Sequence, residues 1–102
     1  ALPILFTIYD AKAEAYLPPL FLNTTGLALR SFGAAVNDSN HDFHKYSEDY
    51  TLFEIGEWDD NTCEFKMYEA KRSLGTANEH INRENKMPPV QIGEKEVQKS
   101  LN

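Results

Sequence analysis

The stretch that most constrains this chain is Asp49 to Asp60, DYTLFEIGEWDD, read with its continuation to Glu69. Tyr50, Leu52 and Glu54 alternate with Thr51, Phe53, Ile55 and Glu57, and β-branched and aromatic residues dominate, so the segment reads as a strand. Asp59-Asp60-Asn61-Thr62 supplies turn chemistry, because short Asp and Asn side chains bond their own backbone and tolerate left-handed dihedrals. A second alternation runs through CEFKMYE, with Cys63, Phe65 and Met67 on one side and Glu64, Lys66 and Tyr68 on the other. Residues 50 to 69 therefore read as a β-hairpin. An isolated hairpin is marginal in water, and the face carrying Phe53, Ile55, Phe65 and Met67 is expected to receive a helical cover.

The cover is found upstream. Asn23-Thr24-Thr25 offers N-cap oxygens, and Thr25, Ala28, Leu29, Phe32, Ala35 and Val36 then fall within one third of a helical wheel. This predicts a helix over residues 24 to 37, ended by Asn37-Asp38, with Leu29 and Phe32 reaching Phe53 and Phe65 and with Arg30 pointing away. Before it, Leu2 to Tyr9 is an apolar run of strand length, the expected centre of the sheet. AKAEAY, Ala11 to Tyr16, holds strong helix formers but stops at Pro18-Pro19, which predicts a short helix or helical turn; Leu20 to Leu22 predicts a short strand. Ser39 to Asp49 has no sustained period and reads as a loop pinned by Phe43 and Tyr46, and Ala70 to Asn78 as a short or irregular edge segment.

At 102 residues the chain is one domain at most, and 41% hydrophobic and 12% aromatic residues mark it as globular. The expected fold is α+β: a small antiparallel sheet with the hairpin in its C-terminal half and one main α-helix packed on one face. Residues 1–78 are expected to form the compact domain. Residues 79–102 lack aromatic residues and contain Pro88-Pro89, which predicts an extended or poorly ordered tail whose Met87, Val90, Ile92 and Val97 serve as docking residues, including for another copy of the chain. The apolar opening is short, has no basic flank and runs into Asp10, so it does not read as a secretory signal, and no stretch reaches membrane-span length. One cysteine, Cys63, makes no intramolecular disulfide and suits a small buried hydrophobe in a reducing compartment.

Candidate chemistry is sparse. His41-x-x-His44 beside Asp42 has imidazoles at short spacing but no third or fourth ligand at motif spacing, so it reads as a polar loop rather than a metal site. Asp59 and Asp60 are accounted for by turn preference, and Cys63 has no nucleophile context; no catalytic residue, metal or cofactor is expected. The net charge of −6 argues against broad duplex binding. Lys66, Lys71 and Arg72, joined by Lys12 and Arg30, form the basic grouping, with Trp58, Tyr68, Tyr9 and Tyr16 as stacking candidates, the combination that single-strand binding requires. Against it stand nine carboxylates between His41 and Glu69, among them Glu54, Glu57, Asp59 and Asp60, which either keep a surface solvated or recruit a basic protein. From the residues alone the reading stops at a small soluble α+β domain.

DAKAEAYLPPLFLNTTGLALRSF from Asp10 to Phe32, VND at Val36 to Asp38 and EDYTLFEIGEWDDNT from Glu48 to Thr62 resemble, in order and spacing, the small non-structural protein of gokushovirus-type microviruses, single-stranded DNA phages. The resemblance covers roughly Phe6 to Asn78. It implies a non-enzymatic accessory protein in the host bacterial cytoplasm that moves genome replication from double-stranded to single-stranded synthesis coupled to packaging; where DNA is contacted directly, the basic grouping and its aromatic neighbours make weak single-stranded DNA binding the expected mode. The alternative is a protein interaction through the acidic hairpin, with a replication initiator, procapsid or host protein as partner; a homo-oligomer through the tail is compatible with either. Relatives often carry Gly where this chain has Cys63.

Overall fold

In the computed structural model, residues 3–82 are described. They form one five-stranded antiparallel sheet and three helices: β1 Ile4–Asp10, β2 Ala15–Tyr16, β3 Leu20–Leu22, α1 Thr25–Val36, α2 Asp42–Lys45, β4 Tyr50–Asp59, β5 Glu64–Thr76 and α3 Ala77–His80. The α+β architecture is the expected one. The sheet runs β2-β1-β4-β5, with β3 also pairing β1. The apolar opening strand is thus interior because both of its edges are taken, by β4 on one side and by the two short strands on the other.

α1 starts where Thr24 in extended conformation accepts a bond from the Leu27 N–H, which satisfies one of the orphan donors of its first turn. Ala28, Phe32 and Val36 are its buried residues. They join Phe6, Leu52 and Ala77 in the core, with Ile4, Ile8, Leu22, Leu29, Phe43, Tyr50 and Leu74 packed around them.

Three local expectations are corrected. Residues 11–14 form a turn rather than a short helix: Asp10 Oδ1 accepts from the Lys12 and Ala13 N–H groups, Glu14 takes a left-handed φ of 57°, and Ala15–Tyr16 returns to pair with Tyr9 and Asp10. A helix stopped by Pro18 is too short to offset its nucleation, so the Asp-anchored turn wins. The loop after α1 contains α2, capped by His41 Nδ1 accepting from the Phe43 N–H, while the His44 ring bonds the Val36 carbonyl. Phe43 inserts between Phe32 and Tyr50, at 5.6 and 4.6 Å between ring centroids, whereas Tyr46 stays exposed. Finally, the edge segment expected from Ala70 is not short: through Thr76 it continues β5, the edge strand of the sheet, past an irregular stretch in its pairing with β4.

The facing of the hairpin is the larger correction. The buried apolar side chain of β4 in the core with α1 is Leu52, not Phe53, and Phe65 and Met67 are 57% and 56% exposed. Residues paired across antiparallel strands share a face. Phe6, opposite Glu54 and Leu20, points to α1, so Thr7, opposite Phe53, points to the uncovered side. A bulge at Ile55, between the Phe6↔Glu54 and Leu5↔Gly56 pairs, keeps the alternation of β1 and shifts that of β4. Beyond it, Trp58 and its partner Phe65 lie on the uncovered side with Phe21.

Cys63 is exposed rather than buried, and its φ of 64° closes the turn between β4 and β5. Past residue 78, Thr76 and Glu79 complete a reciprocal capping box on α3, and the Asn82 N–H bonds Asn37 Oδ1. Glu79 to Asn82 thus join the fold, and the rest of the expected tail lies outside the described residues. Among the described residues, no helix is long and apolar enough to cross a membrane.

Candidate functional site

The sheet face opposite α1 carries the feature that the core does not explain. Tyr16 packs at 4.8 Å on Tyr9 and 6.2 Å on Phe53, and Phe21, Trp58 and Phe65 form a second group, with Trp58 5.0 Å from Phe65 and Phe21 stacked on Phe65 at 6.1 Å with an interplanar angle of 15°. Tyr16 and Phe21 are about half exposed and Phe65 and Met67 slightly more. Aromatic side chains gathered on one uncovered face are the kind of apolar surface that marks a contact site.

Two sequence features open a concavity between these groups. Pro18-Pro19 ends the pairing of the second strand: the Leu17 N–H makes the last ladder bond, to the Ile8 carbonyl, and the Thr7 hydroxyl donates to the Leu17 carbonyl at 2.7 Å. The two prolines come next as a wall without N–H donors. On the opposite side, the register passes from Glu54↔Arg72 directly to Gly56↔Met67, so β5 carries extra residues at 68–71 and brings Tyr68 and Lys71 to the rim. This open concavity has a volume of about 590 Å³, with Thr7 and Ile55 among its lining residues. Gly56 is required here, because a Cβ would stand 2.8 Å from the Lys66 carbonyl oxygen.

The sequence-derived binding residues are divided by the sheet. Trp58 lies on the open face, and Lys71 reaches over it with Nζ 5.5 Å from the Tyr16 ring centroid, a cation–π arrangement. Lys66 lies on the α1 side and pairs with Asp59 at 3.3 Å; Arg72, on the same side, pairs with Glu54 at 3.4 Å. Lys71 has no such carboxylate among the described residues. Arg30 is exposed on α1, and Lys12 sits in the 11–14 turn beside a cleft that also carries Asp10 and Asp49. Tyr68 lines the concavity, but its hydroxyl donates to Glu54 at 2.7 Å. That hydrogen bond, with burial second, pushes the phenol up to about 12.

Two carboxylates of the acidic stretch are used internally. Glu54 is buried and accepts from Thr25, Tyr68 and Arg72, so it ties the first turn of α1 to β4 and the β5 irregularity. Asp59 accepts from the Asn61 and Thr62 N–H groups; the Asn61 bond foremost, with help from Lys66 and Thr62 and against partial burial, holds its carboxyl below the usual range.

Phe21 and Phe65 are absent from the sequence-derived set. Alternation with Lys66 puts Phe65 on the expected core side, and the uncovered side of a sheet that is apolar on both faces carries no distinct periodic signal.

Fold and face together define a small α+β domain with an uncovered aromatic sheet surface. The chain belongs to a phage family: the family model described as Phage ORF5 protein matches residues 4–80, which takes in every strand and helix of the fold. No curated protein and no solved structure matches it.

Proposed function

We propose that this chain is a non-structural accessory protein of a gokushovirus-type microvirus, acting in the bacterial cytoplasm where genome replication turns from double-stranded to single-stranded synthesis and packaging. Its direct contact is with single-stranded DNA, on the open sheet face. The observation that carries this reading is the exposure of Tyr16, Phe21 and Phe65 on one face, with Lys71 over it and no carboxylate paired to that lysine among the described residues. Every base has a π-face, so such a platform binds strands by stacking with little need for edge recognition. A duplex hides those faces, and the net charge of −6 opposes its broad approach.

The test is a titration of labelled single-stranded and duplex oligonucleotides at two salt concentrations. Binding that favours the single strand and falls with Phe65→Ala supports the reading. No binding at low salt removes it and leaves a protein partner of the acidic hairpin as the reading to pursue.

A further inference from the structure

We propose that the concavity between the Pro18-Pro19 wall and the β5 irregularity seats one unstacked nucleobase, with neighbouring bases lying on the exposed rings of Phe65 and Phe21. The proposal rests on the single-strand reading above and assigns its central subsite. At about 590 Å³ the space falls within the range of small-ligand sites, roughly 300–1,000 Å³. A cleft beside Lys12 has nearly the same volume, about 580 Å³, but it is lined by Asp10 and Asp49, which repel a phosphate chain.

The chemistry of the lining selects the occupant. Pro18 and Pro19 have no N–H to donate and Leu17 has already used its own, so an extended peptide would find no ladder donors along this wall. A planar ring needs none. Ile55 and Met67 supply apolar contact, and the Tyr16 ring supplies an aromatic surface at the rim. Lys71, held over that ring, is placed for the negative charge that every nucleotide brings. The polar groups inside are largely committed: the Thr7 hydroxyl donates to the Leu17 carbonyl and the Tyr68 hydroxyl to Glu54. The seat therefore accepts a base by shape and stacking and discriminates weakly among bases.

The experiment uses the full chain and two probes of equal length and charge, an oligothymidine of about twelve nucleotides, within the span of single-strand sites, and the same deoxyribose-phosphate chain without bases. Anisotropy of the labelled probe gives affinity, and fluorescence of Trp58, the single tryptophan, reports contact on this face. The expected result is oligothymidine binding that quenches Trp58, with the abasic chain at least about tenfold weaker. Ile55→Phe, which fills the floor, and Lys71→Gln should each weaken binding about five- to tenfold, and Lys45→Gln, on α2, should leave it unchanged. Oligothymidine binding untouched by Ile55→Phe and Lys71→Gln overturns the base seat while the single-strand reading stands. Equal affinity for the abasic chain reduces the contact to phosphates and also overturns it. If neither probe binds, both readings fall. Should Ile55→Phe not fold, the Lys71 variant and the abasic comparison decide.

Discussion

The Tyr68 hydroxyl donates a 2.7 Å hydrogen bond to Oε2 of Glu54, while Oε1 of the same carboxylate accepts from Thr25 at 2.9 Å. A buried Glu in mid-strand thus connects the start of α1, the centre of the sheet and the irregular part of β5. Removing the acceptor leaves its donors unpaired, so Glu54→Ala should destabilise the fold by about 3 kcal/mol and Tyr68→Phe by about 1.5 kcal/mol. The phenol adds a pH signature. Its native pKa of about 12 lies above the ordinary 10.0, so the native state favours the protonated form. The corresponding stability is fully present below pH 10 and is lost as pH rises towards 12. Glu54→Gln should move the late-titrating tyrosine back towards the ordinary value in an ultraviolet titration, and an unchanged curve would contradict the Glu54 assignment.

The two faces of the hairpin make a second test. Leu52 is 2% exposed beneath α1, and Phe65 is 57% exposed on the opposite side. Leu52→Ala should cost about 3 kcal/mol, as is usual for a buried truncation, and Phe65→Ala well under about 1 kcal/mol. Thermal melts that rank the two the other way would reverse the assigned faces.

That ranking also marks how far the sequence could be read. The helix was legible because Ala28, Phe32 and Val36 recur at helical spacing behind a Thr24 cap, and the hairpin because its alternation brackets an Asp-rich turn. Which hairpin face meets the helix was not. Alternation places Leu52 with a Glu and a Gly, and only the tertiary bonds from Thr25, Tyr68 and Arg72 make Glu54 a buried residue. The Ile55 bulge then shifts the alternation within β4 itself. The candidate site was legible in part: Trp58 and Lys71 reach the open face, but Lys66 and Arg72 are drawn to acidic partners on the α1 side, an arrangement set by register rather than by composition.

Cys63 stands at φ 64° in the hairpin turn, a conformation that costs a non-glycine residue about 1 kcal/mol. Its side chain is exposed and leaves no buried contact to lose. Cys63→Gly should therefore stabilise the protein by about 1 kcal/mol, read as a higher denaturation midpoint at unchanged denaturant slope. A lower midpoint would show that the thiol contributes more than its backbone conformation costs.

The end of the domain can be tested by truncation. Ala77 is fully buried, Glu79 caps α3, the His80 ring bonds the Leu74 carbonyl and Asn82 bonds Asn37. A chain ending at Asn82 should melt close to the full chain, whereas one ending at Asn78 should lose about 2 kcal/mol with its cap and these bonds. Equal melting of the two truncations would place the boundary at 78.

The dependence of DNA binding on salt rests on how the cations are shared. If Lys66, Lys71 and Arg72 all met phosphates, log affinity would fall with log salt with a slope near −2, at about −0.7 for each phosphate neutralised on a single strand. Lys66 and Arg72, however, pair with Asp59 and Glu54 on the α1 side, and Lys71 is the cation held over the aromatic face. The slope for oligothymidine should accordingly lie nearer −1 than −2. Lys66→Gln should leave it unaltered, and Lys71→Gln should flatten it and lower affinity together. A steep slope that Lys66→Gln reduces would instead put the strand on the α1 side of the sheet, away from Trp58, whose fluorescence would then be indifferent to binding.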